Sequence, residues 1–133
     1  MDNQRREEQR RNERFHVELG ALAVFSPDKL VTPGLAIDIS LGGMAFLYYE
    51  GEQWPEEHEV LLNLFGEGFY LEQVPLQIVS DFAIRHVQEP LSAQMSQMPY
   101  GQGNIRRRGV KFGHLSHTQK VLMEQFIREK ISG

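Results

Sequence analysis

Cysteine is absent from all 133 residues. That excludes disulfides and thiolate metal sites as the source of stability and predicts a reducing, cytoplasmic compartment. No apolar run is long enough to span a bilayer, and the N-terminus is too charged for a signal peptide, so direct membrane insertion is not expected. Positive charge is nearly missing from the body of the chain: between Phe15 and Ile84 the only Lys or Arg is Lys29, against eleven Asp and Glu residues. The formal net charge of -4 opposes sequence-independent attraction to a polyanion, so nucleic acid is not an expected partner. There is no internal repeat, and the length suits one domain with a sizeable core.

What is present is an arginine-rich start. Arg5, Arg6, Arg10, Arg11 and Arg14 stand ahead of the acidic body. A planar guanidinium forks onto phosphate or the O6/N7 edge of guanine and stacks on bases, which lysine cannot do. The same run also reads as a solvated, flexible terminus. Residues 1–14 are therefore taken as a flexible arm and residues 15–133 as the folded domain.

Alternation begins at Phe15. Phe15, Val17, Leu19, Ala21, Ala23 and Phe25 share one parity and predict one strand with a buried face. Leu35, Ile37 and Ile39 share a parity in the next strand, which Gly42 and Gly43 end before the aromatic strand from Met44 to Tyr49. Val60–Phe65 and Phe69–Val74 flank Gly66-Glu67-Gly68 as a hairpin, and Leu76 to Val87 reads as a further strand. From Gln88 to Asn104 a long loop is expected, with strand character resuming through Ile105 to Phe112. Ser116 and Gln119 form a capping box opening a helix over about 116–131, whose Leu122, Met123, Phe126, Ile127 and Ile131 mark one apolar face. Many short strands and one terminal helix predict a closed or nearly closed β-barrel, the helix covering one opening.

Strand parity places Asp38 and Ser40 outside, with Leu35, Ile37 and Ile39 inside. Asp38, acceptor-only when ionised, suits the donor edge of guanine, and Ser40 can donate or accept. Gly42 and Gly43 permit positive φ and close approach of a ligand. Taken alone, Asp38 and Ser40 equally shape a turn. The Arg10–Arg14 spacing alone is also cheap, since Arg6–Arg10 repeats it.

In order along the chain, R-x-x-x-R at Arg10 and Arg14, D-x-S-x-x-G at Asp38, Ser40 and Gly43, the strand Gly109-Val110-Lys111-Phe112 and the closing helix resemble the PilZ family of bacterial cyclic di-GMP receptors. The resemblance implies a mainly β fold: a six-stranded antiparallel Greek-key or split β-barrel with a C-terminal helix. It also implies reversible binding of cyclic di-GMP with no reaction and no catalytic cofactor. Arg10 and Arg14 would hold phosphates and the Hoogsteen edge of guanine, with Arg11 as helper. Asp38, Ser40, Gly42 and Gly43 would line the base site. The arm would close over the nucleotide and present a new surface to a downstream protein partner. The neutral Gln9, with Arg6 and Arg11 nearby, favours two intercalated nucleotides per chain.

A PilZ-like module that contacts only proteins is the alternative, against which the intact motifs speak. An OB-type nucleic-acid barrel wants aromatics among cations, whereas Tyr48, Tyr49, Phe69 and Tyr70 lie among acids. An enzyme finds no support either. Asp38-Ile39-Ser40-Leu41-Gly42 lacks the leading glycine of a nucleophile elbow, and His114 and His117 read as surface residues at a helix start rather than a metal pair.

Overall fold

The computed structural model describes residues 13–18, 21–27, 33–50, 54, 59–84 and 104–132. Seven strands and one helix follow in order: β1 (Phe15–His16), β2 (Leu22–Phe25), β3 (Gly34–Ile39), β4 (Gly43–Tyr49), β5 (Glu59–Gly66), β6 (Phe69–Ile84), β7 (Ile105–Phe112) and α1 (His117–Ser132). The sheet runs β1-β3-β2-β5-β6-β7-β4, and β3 also pairs with β4. Strands β2 to β7 thus close into a six-stranded barrel, every pairing antiparallel, with β1 attached to β3. Closure gives each of those six strands a hydrogen-bonded neighbour on both sides over part of its length.

The strand expected from Phe15 to Phe25 is broken in two. Phe15 pairs with Ile39 and Ala23 with Leu35 on the same partner. The chain from Phe15 to Ala23 is therefore opposed only by the shorter stretch from Ile39 back to Leu35. The surplus leaves the ladder in a turn, in which the Ala21 N–H donates to the Glu18 carbonyl at 2.9 Å. Parity resets across that turn, so Leu22 and Val24 are buried and Phe25 is exposed.

A second reset lies in β3. Ala36 pairs with Phe46 but Asp38 pairs with Ala45, leaving Ile37 as a β-bulge. An extra residue flips the face of everything beyond it. Ala36 and Ile39 are consequently the buried pair, both fully enclosed, while Leu35 and Ile37 pack outside the barrel against Leu47, Tyr49, Ile84 and Ile105. The expected inward trio holds only for Ile39. Placing a charge at that position, Ile39→Asp, should abolish cooperative folding, because an isolated carboxylate cannot be solvated there; loss of the thermal transition by circular dichroism is the expected observation.

The segments expected at 69–74 and 76–87 are one long strand over the described residues, β6, bent by two bulges, one at Glu72–Gln73 opposite Leu62 and Leu64 of β5 and one at Val79 opposite β7. Pro75 does not end it. It stays in register opposite Leu61, and its carbonyl accepts from the Gly113 N–H at 2.8 Å. Residues 85–103, and with them most of the expected loop, lie outside the described residues. The hairpin turn is tighter than the sequence suggested: Gly66 pairs with Phe69, leaving Glu67 and Gly68 as a two-residue loop, with Gly68 at φ 68°.

Helix α1 begins as its capping box requires. The Ser116 N–H donates to Gln119 Oε1 at 2.9 Å and the Gln119 N–H to Ser116 Oγ at 3.1 Å. Its buried Met123, Phe126 and Ile127 join the core of the barrel. The ring of Phe126 sits 4.7 Å from that of Phe69, so the helix packs at the end carrying the β5–β6 turn. The side chain of Ile131 lies outside those described.

Candidate functional site

The segment from Asp38 to Gly43 reverses the chain between β3 and β4, and Ser40 builds the reversal. Its Oγ accepts from the N–H of Gly42 at 3.2 Å and of Gly43 at 3.1 Å, and donates to the Gly43 carbonyl at 3.2 Å. One donor and two acceptor sites complete the capacity of a hydroxyl. Ser40 is accordingly buried, at 5% exposure, rather than facing outward beside Asp38 as parity predicted. β3 has ended by then, and a turn does not obey strand alternation.

The glycines serve packing rather than a left-handed backbone. Among the described residues only Gln73 and Gly68 have positive φ. At Gly43 a Cβ would lie 2.2 Å from the Val110 carbonyl oxygen, and at Gly109 it would lie 2.6 Å from Ser80 Oγ. Gly43 needs glycine because the backbone of β7 approaches too closely for any side chain, whereas at Gly109 the space is taken by the Ser80 side chain. The consequence for the surface is a bare floor.

Asp38 does face outward, as expected, and it is held from two sides. Arg14 Nη1 donates to Oδ1 at 2.9 Å and Arg107 Nη2 to Oδ2 at 3.1 Å. The Arg14 side chain is 56% exposed, against 25% for Arg107, whose guanidinium also lies 5.7 Å from the centre of the Phe82 ring. Arg14, Ser40, Gly42, Gly43, Ser80, Arg107, Gly109 and Lys111 line a groove of about 240 Å³. The structure therefore gathers Arg14, Asp38, Ser40, Gly42 and Gly43 in one place. Arg10 and Arg11 lie outside the described residues.

Arg107 was not anticipated. A signal existed in Arg106-Arg107-Arg108, since three consecutive arginines on a strand must present two to one face and one to the other. Arg106 and Arg108 face the opposite side from Arg107 and meet Asp81. Arg106 Nε donates to Asp81 Oδ1 at 2.6 Å and Arg108 Nε to Oδ2 at 2.8 Å, while the Tyr48 hydroxyl donates to Oδ2 as well. Arg106 also reaches Glu50 Oε1 at 2.9 Å, which Asn104 supports at 3.2 Å through the other oxygen. The Arg108 guanidinium, 5% exposed as a residue, lies 4.9 Å from the centre of the Tyr48 ring.

Burial alone would raise the pKa of Asp81, but hydrogen bonds from Tyr48, Arg108 and Arg106 outweigh it and lower the carboxyl below its ordinary value. Burial and the bond to Asp81 raise Tyr48 above the usual phenol range. Hydrogen bonds from Asn104 and Arg106 lower Glu50. The network therefore stays ionised at Asp81 and protonated at Tyr48 near neutral pH. It ties β4, β6 and β7 together and fixes the face on which Arg107 emerges.

His114 and His117 are both exposed, and no group of three or more His, Cys, Asp or Glu among the described residues is arranged to hold a metal ion. No described helix is long and apolar enough to cross a membrane. Compared with known proteins, residues 4–129 match the family described as PilZ domain, a span that includes Arg10, Arg11 and every residue of the groove. No curated protein and no solved structure matches the chain.

Proposed function

The chain belongs to the PilZ domain family, a family of binding modules rather than enzymes, and from that membership we propose that it is a receptor for cyclic di-GMP that signals to a protein partner in the cytoplasm. The observation that carries this reading is Asp38 held between Arg14 and Arg107 at the rim of a groove floored by Gly43 and Gly109. A carboxylate accepts from the N1–H and N2–H edge of guanine, and guanidinium groups fork onto phosphate or onto the O6/N7 edge. The floor without side chains lets a flat base lie close to the strands.

In the free protein Asp38 satisfies both arginines. A guanine that takes the carboxylate releases them at the place where the nucleotide's phosphates arrive, so the ion pairs are exchanged rather than lost. Arg14 is the more exposed of the two and is the group that moves, while Arg107 stays seated over Phe82. Arg10 and Arg11, earlier in the chain, add the remaining cations, and Ser40 and Gly42 contribute by setting the turn. Ordering of the arm over the nucleotide then offers a partner a surface absent from the free protein.

Calorimetry with cyclic di-GMP, with cyclic di-AMP and GTP as controls, tests the reading. Cyclic di-GMP is expected to bind with an affinity that falls as salt rises, because several arginine–phosphate contacts form. Equal binding of cyclic di-AMP, or an affinity indifferent to salt, would refute the contacts assigned to Asp38 and the arginines. With a known concentration of active protein, the endpoint is expected at two nucleotides per chain.

A further inference from the structure

Away from the groove, the outer face of β2, β5 and the first half of β6 exposes three aromatic rings linked through Phe65. Phe25 and Phe65 meet edge to face with centres 6.4 Å apart, and Phe65 and Tyr70 do the same at 6.0 Å. Phe65 is 54% exposed, Tyr70 and Leu61 each 49%, and Phe25 36%. Single apolar residues on a surface call for no explanation, but a contiguous aromatic cluster is the composition of an interface centre.

Charge on the described strands that carry the cluster has one sign. Glu67 occupies the adjoining hairpin turn, and Glu72 follows Tyr70 on the same strand. Desolvation and the Glu72 carboxylate together raise the Tyr70 hydroxyl above the usual phenol range. No Lys or Arg occurs on β2, β5 or β6, since Lys29 is the only one between Phe15 and Ile84. An aromatic face rimmed by carboxylates repels nucleic acid and other acidic surfaces, a second copy of itself included. It attracts a surface that offers aliphatic or aromatic side chains beside arginine or lysine, because guanidinium and ammonium groups pair with the acids and also stack on the ring faces.

We infer that the Phe25–Phe65–Tyr70 face is a docking site for a basic, amphipathic segment of another protein, separate from the groove at Asp38. The inference does not depend on nucleotide binding. It assigns the partner's chemistry: an apolar stripe bordered by Arg or Lys.

The test uses the full chain and three synthetic peptides: an amphipathic helix of Leu, Phe and Lys/Arg; the same helix with Glu in place of Lys/Arg; and a polar Lys peptide without Leu or Phe. Fluorescence anisotropy should show the first binding at least about tenfold more tightly than either other, and Phe65→Ser or Tyr70→Ser should weaken it by about tenfold or more. Both side chains are half exposed, so the variants are expected to keep the wild-type thermal transition. Amide chemical-shift changes on peptide addition should map to β2, β5 and the first half of β6, a readout that needs no variant. Equal binding of the polar Lys peptide, a footprint on other strands, or self-association abolished by Phe65→Ser would overturn the inference.

Discussion

Asp81→Ala is expected to destabilise the domain by about 3 kcal/mol, the low end of the range for removing one member of a buried ion pair. The low end applies because the Asp81 side chain retains 21% exposure. Its removal leaves Arg106, Arg108 and the Tyr48 hydroxyl without their shared acceptor. Arg108 suffers most: it is buried, and its guanidinium cannot turn to water without vacating the ring of Tyr48. Urea unfolding should show the midpoint falling with the slope unchanged, and the thermal transition should drop by roughly 10 °C. A loss below about 1 kcal/mol would mean that the three donors find water readily and that the network is a surface feature.

The same carboxylate sets an acid limb. Its pKa is lower in the folded protein than in the unfolded chain. Its contribution is therefore complete above the ordinary carboxylate range and disappears as pH falls through the depressed folded value. Wild type and Asp81→Asn should accordingly differ in stability near neutral pH and converge in strong acid.

Asp38→Ala is expected to weaken cyclic di-GMP by ten- to a hundredfold, equivalent to roughly 1.5–3 kcal/mol for a charge-assisted hydrogen bond, and to leave the fold intact. The residue faces the outside of the barrel, and Arg14 and Arg107 are exposed enough to be solvated once it is gone. Arg107→Gln should also weaken the nucleotide, by about tenfold, although it belongs to neither sequence motif. The two losses should be less than additive, because each variant already breaks the Arg107–Asp38 pair at 3.1 Å. Strict additivity, measured by calorimetry on the single and double variants, would show that Arg107 does not act through Asp38. Unaltered affinity in Asp38→Ala would remove the residue from the site.

Local signals in the sequence were sound where local physics decides. The capping box at Ser116 and Gln119 forms both of its bonds, since both partners lie within one turn. The β5–β6 hairpin and the buried Ile39 were legible for the same reason: a glycine turn and a hydrophobic repeat act over a few residues. Parity failed wherever the barrel required a bulge. Nothing in Leu35-Ala36-Ile37-Asp38 marks Ile37 as surplus, because the surplus exists only relative to β4. The break between β1 and β2 likewise exists only relative to β3.

The candidate site divides along the same line. The ordered motifs were enough to read the family, and through that resemblance they nominated Arg14, Asp38, Ser40 and the two glycines, because motif residues and their order travel with the chain. The sequence also determined that the body is acidic and that its cations are segregated. Tertiary structure alone decided that Ser40 turns inward to hold the turn, that Gly43 is required by the close approach of β7, and that Arg107 completes the clasp on Asp38 from 69 residues away. Those outcomes depend on which strands become neighbours and at what register. Barrel closure sets both, and no short stretch of chain carries that information.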